Sequence, residues 1–481
     1  MVGSMLRRCL IFLLLLSQLL PPAAANPVIS LPELGGGTLR LLAGTSEASI
    51  GRQITAELRR NGLLIEDPEL NEYIQHVGSR LVAASDHQDT RFTFFIVRDD
   101  TVNAFALPGG YIGIHSGLLL KTRTESELAS VLAHEVAHVT QRHVARRFEA
   151  NSSLGLKGLA VLLGAIALAA AGAGGDDVTG AMMLGQGMLA QEQINFTREQ
   201  EYEADYIGVE MLARAGFDPR GMVSFFETMQ RAQRIQNSRM PEFLSTHPLS
   251  MSRVIESSQR VQKMTPGEAE ESRNYPLMKA RLGVLAGNVV AGVSDNPLGK
   301  PYADALQAMR TGKPQQAVKM FEELLASDDS ITHYHIGLGM ALLQAREAAR
   351  AQQVMERAHG LFPHNVPVVL AHAQVLRQTD RANEALVMLR DLFNRHEPVP
   401  DEIRVLAQVA AEAGETAESH FYMSEYYIRF GNLGAARDHL TLAVNGSRAS
   451  SKERLQYEAR LKEVTDALLE MRRNSRRQAQ N

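Results

Sequence analysis

Thr124-Glu125-Ser126-Glu127-Leu128-Ala129-Ser130-Val131-Leu132-Ala133-His134-Glu135-Val136-Ala137-His138 is the stretch on which the reading of this chain turns. Thr124 with Glu127 three positions on forms a capping box, so a helix begins here. Leu128, Val131 and Leu132 recur at helical spacing and give it a buried face. His134 and His138 are four apart, which puts both imidazoles on one side of a helix, able to hold one zinc ion. Glu135 stands beside them, placed to accept a proton from metal-bound water, which would then attack a peptide carbonyl. The pattern predicts a single long helix that runs past His143 toward Phe148.

A catalytic zinc needs a third protein ligand and an open position. Glu201 is the candidate, in the first turn of a second helix that Thr197 and Gln200 cap and that ends near Ala215, before Gly216. Asp205 lies four residues on, on the same face, and can accept the second N–H of a ligand histidine. Taken alone, this stretch reads as a solvated acidic face with Glu203 and Glu210. The upstream histidine pair turns it into a ligand candidate.

The chain has 481 residues, enough for two or three domains. Its net charge of -4, with no dominant acidic or basic block, gives no reason to expect nucleic acid as a partner. Residues 1–25 read as a signal peptide, with Arg7 and Arg8 before a short apolar run and Ala23-Ala24-Ala25 at the cleavage site. Cys9, the only cysteine, lies inside that segment. The mature chain would therefore form no disulfide and offer no thiolate, so a metal must be held by His, Glu and Asp, and an exported chain of this kind is compatible with a bacterial periplasm.

Outward from the motif, residues 26–45 read as a lead-in segment and 46–265 as the catalytic domain. Phe92–Val97 is a strand candidate. Asn103–Leu107 and Tyr111–Ser116 flank Pro108-Gly109-Gly110 and predict a hairpin. The apolar segment 154–173, interrupted by Lys157, predicts buried or membrane-surface helices with peripheral membrane contact rather than a span. Residues 266–300 read as a connecting segment. From 301 to 481, Ala317/Phe321, Ala351/Met355 and Ala385/Leu389 recur every 34 residues, and Ala436/Leu440 continue the frame half a period out of step. Small residues facing large ones at that period predict a tetratricopeptide solenoid with a concave groove.

Four pieces together resemble the metallopeptidases related to the CAAX prenyl protease, the HtpX heat-shock protease and the mitochondrial Oma protease. They are Asn103–Gly110, His134–His138 extended to Arg142-His143, Glu201–Asp205, and Ser245-Thr246-His247-Pro248 with Arg253. A signal peptide and C-terminal repeats make the chain similar to one branch, the bacterial periplasmic β-barrel assembly-enhancing proteases. The resemblance implies a mainly α fold: a gluzincin-type metalloprotease domain with a small β-hairpin or sheet, then the helical solenoid. It implies Glu201 as third zinc ligand and His247 as a regulatory fourth ligand that keeps the enzyme latent. Arg253 would stabilise the oxyanion, and an extended substrate would add to an edge strand at Tyr111, Ile112, Gly113 and Ile114, shaped by Asn103. His143, five residues past His138, would point away from the metal and serve a structural or supporting role. The implied function is periplasmic endopeptidase and chaperone-like work on misfolded or stalled outer-membrane proteins, with the repeats docking on the β-barrel assembly machinery. The alternative is a chaperone or adaptor whose zinc site is silent.

Overall fold

The computed structural model describes residues 47–86, 91–150, 197–235, 242–264, 272–287, 296–447 and 451–478. The signal peptide, the lead-in segment and the apolar segment 154–173 lie outside the described residues. The fold is mainly α. The catalytic half comprises α1 (Glu47–Arg60), α2 (Pro68–Ala83), β1 (Thr93–Val97), β2 (Ala104–Leu107), β3 (Tyr111–His115), α3 (Ser116–Lys121), α4 (Glu125–Thr140), α5 (His143–Ala150), α6 (Arg198–Arg214), α7 (Arg220–Ile235), α8 (Glu242–Thr246) and α9 (Met251–Lys263).

β2 and β3 form the predicted antiparallel hairpin, with Leu107 opposite Tyr111. Gly109 and Gly110 both take positive φ, near 80° and 81°, which the turn requires and other residues resist. The strand order is β1-β3-β2, with β1 parallel to β3. This corrects the expectation for Tyr111, Ile112, Gly113 and Ile114. β3 is the central strand and its main-chain groups face β1 on one side and β2 on the other, so no further strand can add there. The active-site edge belongs to β2. The His115 N–H donates to the Asn103 carbonyl at 3.0 Å. Alternation then pairs Phe105 with Gly113 and Leu107 with Tyr111, and turns the main-chain groups of Ala104 and Ala106 away from β3.

The predicted long helix is two helices. α4 ends at Thr140, and Arg142 adopts φ of 56°, a left-handed conformation that redirects the chain into α5. In an unbroken helix His143 would face away from the ligands. The break turns it back, with Nδ1 3.0 Å from His138 Nδ1.

The solenoid stacks α10 (Asn274–Leu285), α11 (Gly299–Arg310), α12 (Pro314–Ser327), α13 (Thr332–Gln344), α14 (Ala348–Leu361), α15 (Val366–Gln378), α16 (Ala382–Arg395), α17 (Pro400–Glu412), α18 (Thr416–Arg429), α19 (Leu433–Gly446) and α20 (Lys452–Gln478). The 34-residue frame marks its core: Ala317, Phe321, Ala351, Met355, Ala385 and Leu389 are all fully buried. The segment 266–300 is more than a connector. Its helix α10 buries Leu277, Met278, Ala280 and Leu282, and belongs to the same apolar core as Leu70 and Ile74 of α2. That core continues into the repeats as far as Val375, and a second begins at Val366. The catalytic half and the first repeats therefore share one hydrophobic interior.

Buried charge reinforces the joint. Glu69, in the first turn of α2, meets Arg281 Nη1 of α10 at 2.6 Å and His333 Nδ1 of α13 at 2.6 Å. Arg281 also grips the α2 N-cap, Asp67, through two contacts of 2.7 Å. Asn365, the N-cap of α15, donates to Glu72 one turn further along α2.

Candidate metal centre

Helix α4 starts where the capping pattern expects: the Thr124 side chain accepts from the Glu127 N–H. The full reciprocal box forms at Thr197 and Gln200, which opens α6. α4 and α6 pack side by side, and this brings Glu201 to the two histidines. Four side chains from three segments converge: His134 and His138 of α4, Glu201 of α6, and His247 immediately after α8. All four are at least 97% buried.

Their donor atoms all lie within 4.8 Å of one another. His134 Nε2 lies 3.0 Å from His138 Nε2, 3.2 Å from His247 Nδ1 and 3.5 Å from Glu201 Oε2. Glu201 Oε1 lies 3.4 Å from His138 Nε2 and 3.0 Å from His247 Nδ1. Tetrahedral zinc with bonds near 2.0–2.1 Å sets its ligand atoms about 3.4 Å apart. The donor set, three imidazoles and one carboxylate, and its spacing both fit such an ion.

The surrounding groups fix the donors. Asp205 Oδ1 lies 2.9 Å from His134 Nδ1, the nitrogen turned away from the centre. His143 does the same for His138 and is itself anchored to Glu203 at 3.0 Å. Burial opposes a charge on His134, but its bonds to Asp205 and Glu201 outweigh that and raise its pKa to about 9. Burial holds His138 well below the ordinary histidine value. Glu135 is completely buried, and burial raises its pKa, against the pull of His247 and His134 and of the Ala106 N–H on β2. His247 also approaches Glu135, its Nε2 3.3 Å from Oε1, so one ring touches both the donor cluster and the candidate base.

Arg253, in the first turn of α9, is 2% exposed. Its Nε and Nη2 donate to the two oxygens of Asp205 at 2.7 and 2.8 Å, and its Nη1 lies 2.6 Å from Glu201 and 2.8 Å from the Pro248 carbonyl. The guanidinium thus sits beneath the ligands and binds the residue after His247. A cavity of about 240 Å³, lined in part by Arg198, Tyr202, Leu249 and Arg253, opens beside Glu201.

The profile of peptidase family M48 matches residues 68–261, which holds every residue of this centre. The β-barrel assembly-enhancing protease of Escherichia coli strain K12 is 32% identical over 458 residues, 92% of this chain and 93% of that protein. The chain belongs to peptidase family M48, in the branch of the β-barrel assembly-enhancing proteases. A Vibrio cholerae relative is 42% identical over 276 residues, which span 57% of this M48 peptidase and 56% of that protein. The mitochondrial metalloendopeptidase OMA1 of Schizosaccharomyces pombe is 35% identical over 185 residues, 38% of this chain and 50% of that one. The protein is thus a metallopeptidase, and the resemblance drawn from four motifs holds for the M48 peptidase as a whole.

The sequence-predicted residues His134, Glu135, His138, Glu201, Asp205 and His247 come together at one point. Asn103 lies close by: its Oδ1 accepts from the Ala104 N–H at 2.9 Å and from Thr246 at 3.4 Å. Two contributors lack a sequence signal. Ala106 acts through its backbone, and Phe243 stacks on the His247 ring at 4.9 Å. No helix among the described residues is long and apolar enough to cross a membrane.

Proposed function

We propose that this M48 peptidase is a periplasmic zinc endopeptidase that acts on misfolded or stalled outer-membrane β-barrel proteins and docks on their assembly machinery. The observation that carries the catalytic reading is the buried donor cluster of His134, His138, Glu201 and His247 with Glu135 against it. His134, His138 and Glu201 would hold the ion, and Asp205 and His143 orient the two imidazoles. When bound, zinc acidifies a water and polarises a peptide carbonyl. Glu135 takes the water's proton and returns it to the leaving amine, a task that its raised pKa suits. An extended substrate lies along β2, where the carbonyls of Ala104 and Ala106 turn away from β3, while their N–H groups already meet Asn103 and Glu135. Arg253, already engaged with Asp205, Glu201 and Pro248, serves as a positioning residue in place of the oxyanion role.

His247 is the latch. Its Nδ1 fills the fourth corner of the donor set while its Nε2 covers Glu135, so both water and base are blocked at once. The assembly role rests on the E. coli relative's name and on the solenoid. A cavity of about 730 Å³ lined by His359, His364, Val369, Val387, Met388 and His396 gives the repeats a partly apolar seat for a partner. A chaperone or adaptor acting through that seat, with a silent metal site, is the second reading.

Glu135→Gln separates the two. It should abolish casein hydrolysis while zinc content and partner pull-down stay at wild-type levels; hydrolysis at the wild-type rate would sink the enzyme reading. His247→Ala should keep its zinc and hydrolyse casein faster and less selectively. Unchanged hydrolysis demotes His247 to a loop residue, and loss of zinc makes it an essential ligand.

A further inference from the structure

A second group of potential ligands lies outside the catalytic centre, at the far end of β3. One donor atom each from Asp99, His115 and Glu242 lies within 4.8 Å of the others. His115 is buried and is the last residue of β3; Asp99 sits on the loop after β1; Glu242 is the first residue of α8. The His115 Nδ1 is 3.6 Å from Asp99 Oδ1 and 2.7 Å from the Thr101 hydroxyl. Among the described residues, neither Asp99 nor Glu242 is ion-paired with a lysine or arginine. Two carboxylates therefore converge on one imidazole. Asp99 Oδ1 also accepts from the Thr101 N–H and hydroxyl at 2.8 and 2.7 Å.

From this geometry we infer that Asp99, His115 and Glu242 form a second divalent-cation site, for zinc or a similar first-row ion, that clamps α8. One imidazole and two carboxylates are a sound donor set for such ions. Ligands of an ion with bonds near 2.1 Å sit no more than about 4.2 Å apart, so the group must draw in by no more than about 0.6 Å. Glu242 is exposed, and its side chain supplies that movement.

The site's position gives it an effect. α8 runs only from Glu242 to Thr246, and His247 follows it. Its first turn is tied to the loop before β2 by two contacts: the Phe243 N–H donates to the Val102 carbonyl at 3.0 Å, and Asn103 Nδ2 reaches Glu242 at 3.4 Å. A cation bridging Glu242 to Asp99 and His115 adds a third, much stronger tie at the same end. It holds α8 down and, with it, His247 in the donor cluster. This consequence rests on the latch reading; the cation site itself does not.

The test uses the full mature chain carrying one zinc, dialysed against rising Zn²⁺, with metal counted by mass spectrometry and casein hydrolysis followed in parallel. Zinc content should climb from one to two per chain. Glu242→Gln and Asp99→Asn should each weaken the second binding by at least about tenfold. The second zinc should suppress hydrolysis in the wild type and leave Glu242→Gln unaffected. In His247→Ala it should still bind without suppressing hydrolysis. A wild-type content that stays at one, or a second zinc held equally well by both ligand variants, overturns the site. Binding without suppression in the wild type overturns the clamp. If His247→Ala alone behaves as wild type in every assay, the latch reading falls while the stoichiometry still decides the site.

Discussion

Asp205→Asn tests how the metal centre is held. In the native protein Asp205 Oδ1 faces His134 Nδ1 at 2.9 Å, and both oxygens receive Arg253. Asparagine keeps the size and one acceptor. It places an NH₂ where Oδ2 took the Arg253 Nε–H, so two donors meet in a buried pocket. Arg253 then loses its bidentate partner and has one carboxylate left, Glu201, already 2.6 Å from Nη1. A guanidinium drawn fully onto Glu201 competes with the metal for that ligand. Breaking one side of a buried ion pair costs on the order of 3 kcal/mol, and losing the orienting partner of a ligand histidine weakens metal binding about 10–100-fold. We expect both effects, read by urea denaturation of the apo-protein and by chelator competition for zinc. Adding Arg253→Met removes the competitor and should recover about tenfold in affinity, or about 1.4 kcal/mol. Zinc affinity in Asp205→Asn within a factor of about 3 of the wild type would refute the orienting role, since the expected loss is several times larger. A double variant that binds more weakly than the single one would refute the competition.

Two further outcomes follow from packing and titration. Burial, with Glu66 beside it, pushes the Asp401 carboxyl on α17 up to about 7. A raised acid contributes its stability in the protonated form, fully present below the ordinary value of about 3.9 and lost as pH rises through about 7. Asp401→Asn should therefore match the wild-type thermal midpoint at pH 4 and exceed it at pH 8; equal midpoints at both would show that the contact between α17 and α1 carries no such penalty. Gly337→Ala puts a Cβ 2.2 Å from the Phe321 ring in the solenoid core, and should cost about 1–3 kcal/mol. Gly360→Ala on α14, with nothing within 4 Å, should gain up to about 1 kcal/mol from helix propensity. The same sign of shift for both would refute the packing argument.

The centre was legible in the sequence where its geometry is local. The spacing of His134 and His138 fixes their common face, Thr124 and Thr197 mark the helix starts, and Asp205 is one turn from Glu201. The repeat frame was legible for the same reason, since each unit repeats one local pattern. Features that depend on distant strands or on an unusual backbone were not. Nothing in Arg142 announces a left-handed conformation, so the sequence pattern alone puts His143 on the wrong side of a continuous helix. Strand order is set by what packs on the sheet, and so the hairpin at Pro108-Gly109-Gly110 was readable while the insertion of β3 between its neighbours was not. Arg253 reads as a charge near a histidine loop; only the fold shows that its partners are Asp205 and Glu201. His247 carries no local signal at all and was reached through the family resemblance.

The solenoid's attachment bears on how the latch could open. α2 is gripped from the repeat side through Glu69, Asp67 and Glu72, and from the catalytic side through Tyr73, whose hydroxyl donates to Glu125 in the first turn of α4 at 2.9 Å. Glu69 and Tyr73 are buried, and Asp67 and Glu72 half-buried, beside one continuous apolar core. Moving the early repeats as a body against α4 would break several buried ion pairs, each worth several kcal/mol once a partner is lost. Deleting the chain beyond Pro297 would likewise uncover the apolar faces that α11–α13 bury, so it tests folding more than docking. Among the described residues, no buried ion pair holds α8 itself. Its ties to the catalytic half are the Phe243 N–H, two 3.4 Å contacts around Asn103, and the burial of Phe243 and Leu244 in the core, where Phe243 meets the Phe225 ring at 5.2 Å. A partner seated on the repeats can favour the open state only through differential contact with it. On the latch reading, α8 can move without breaking a buried ion pair of its own, so a substrate or cation that touches α8 would set whether His247 leaves the donor cluster, while the solenoid joint would aim a partner.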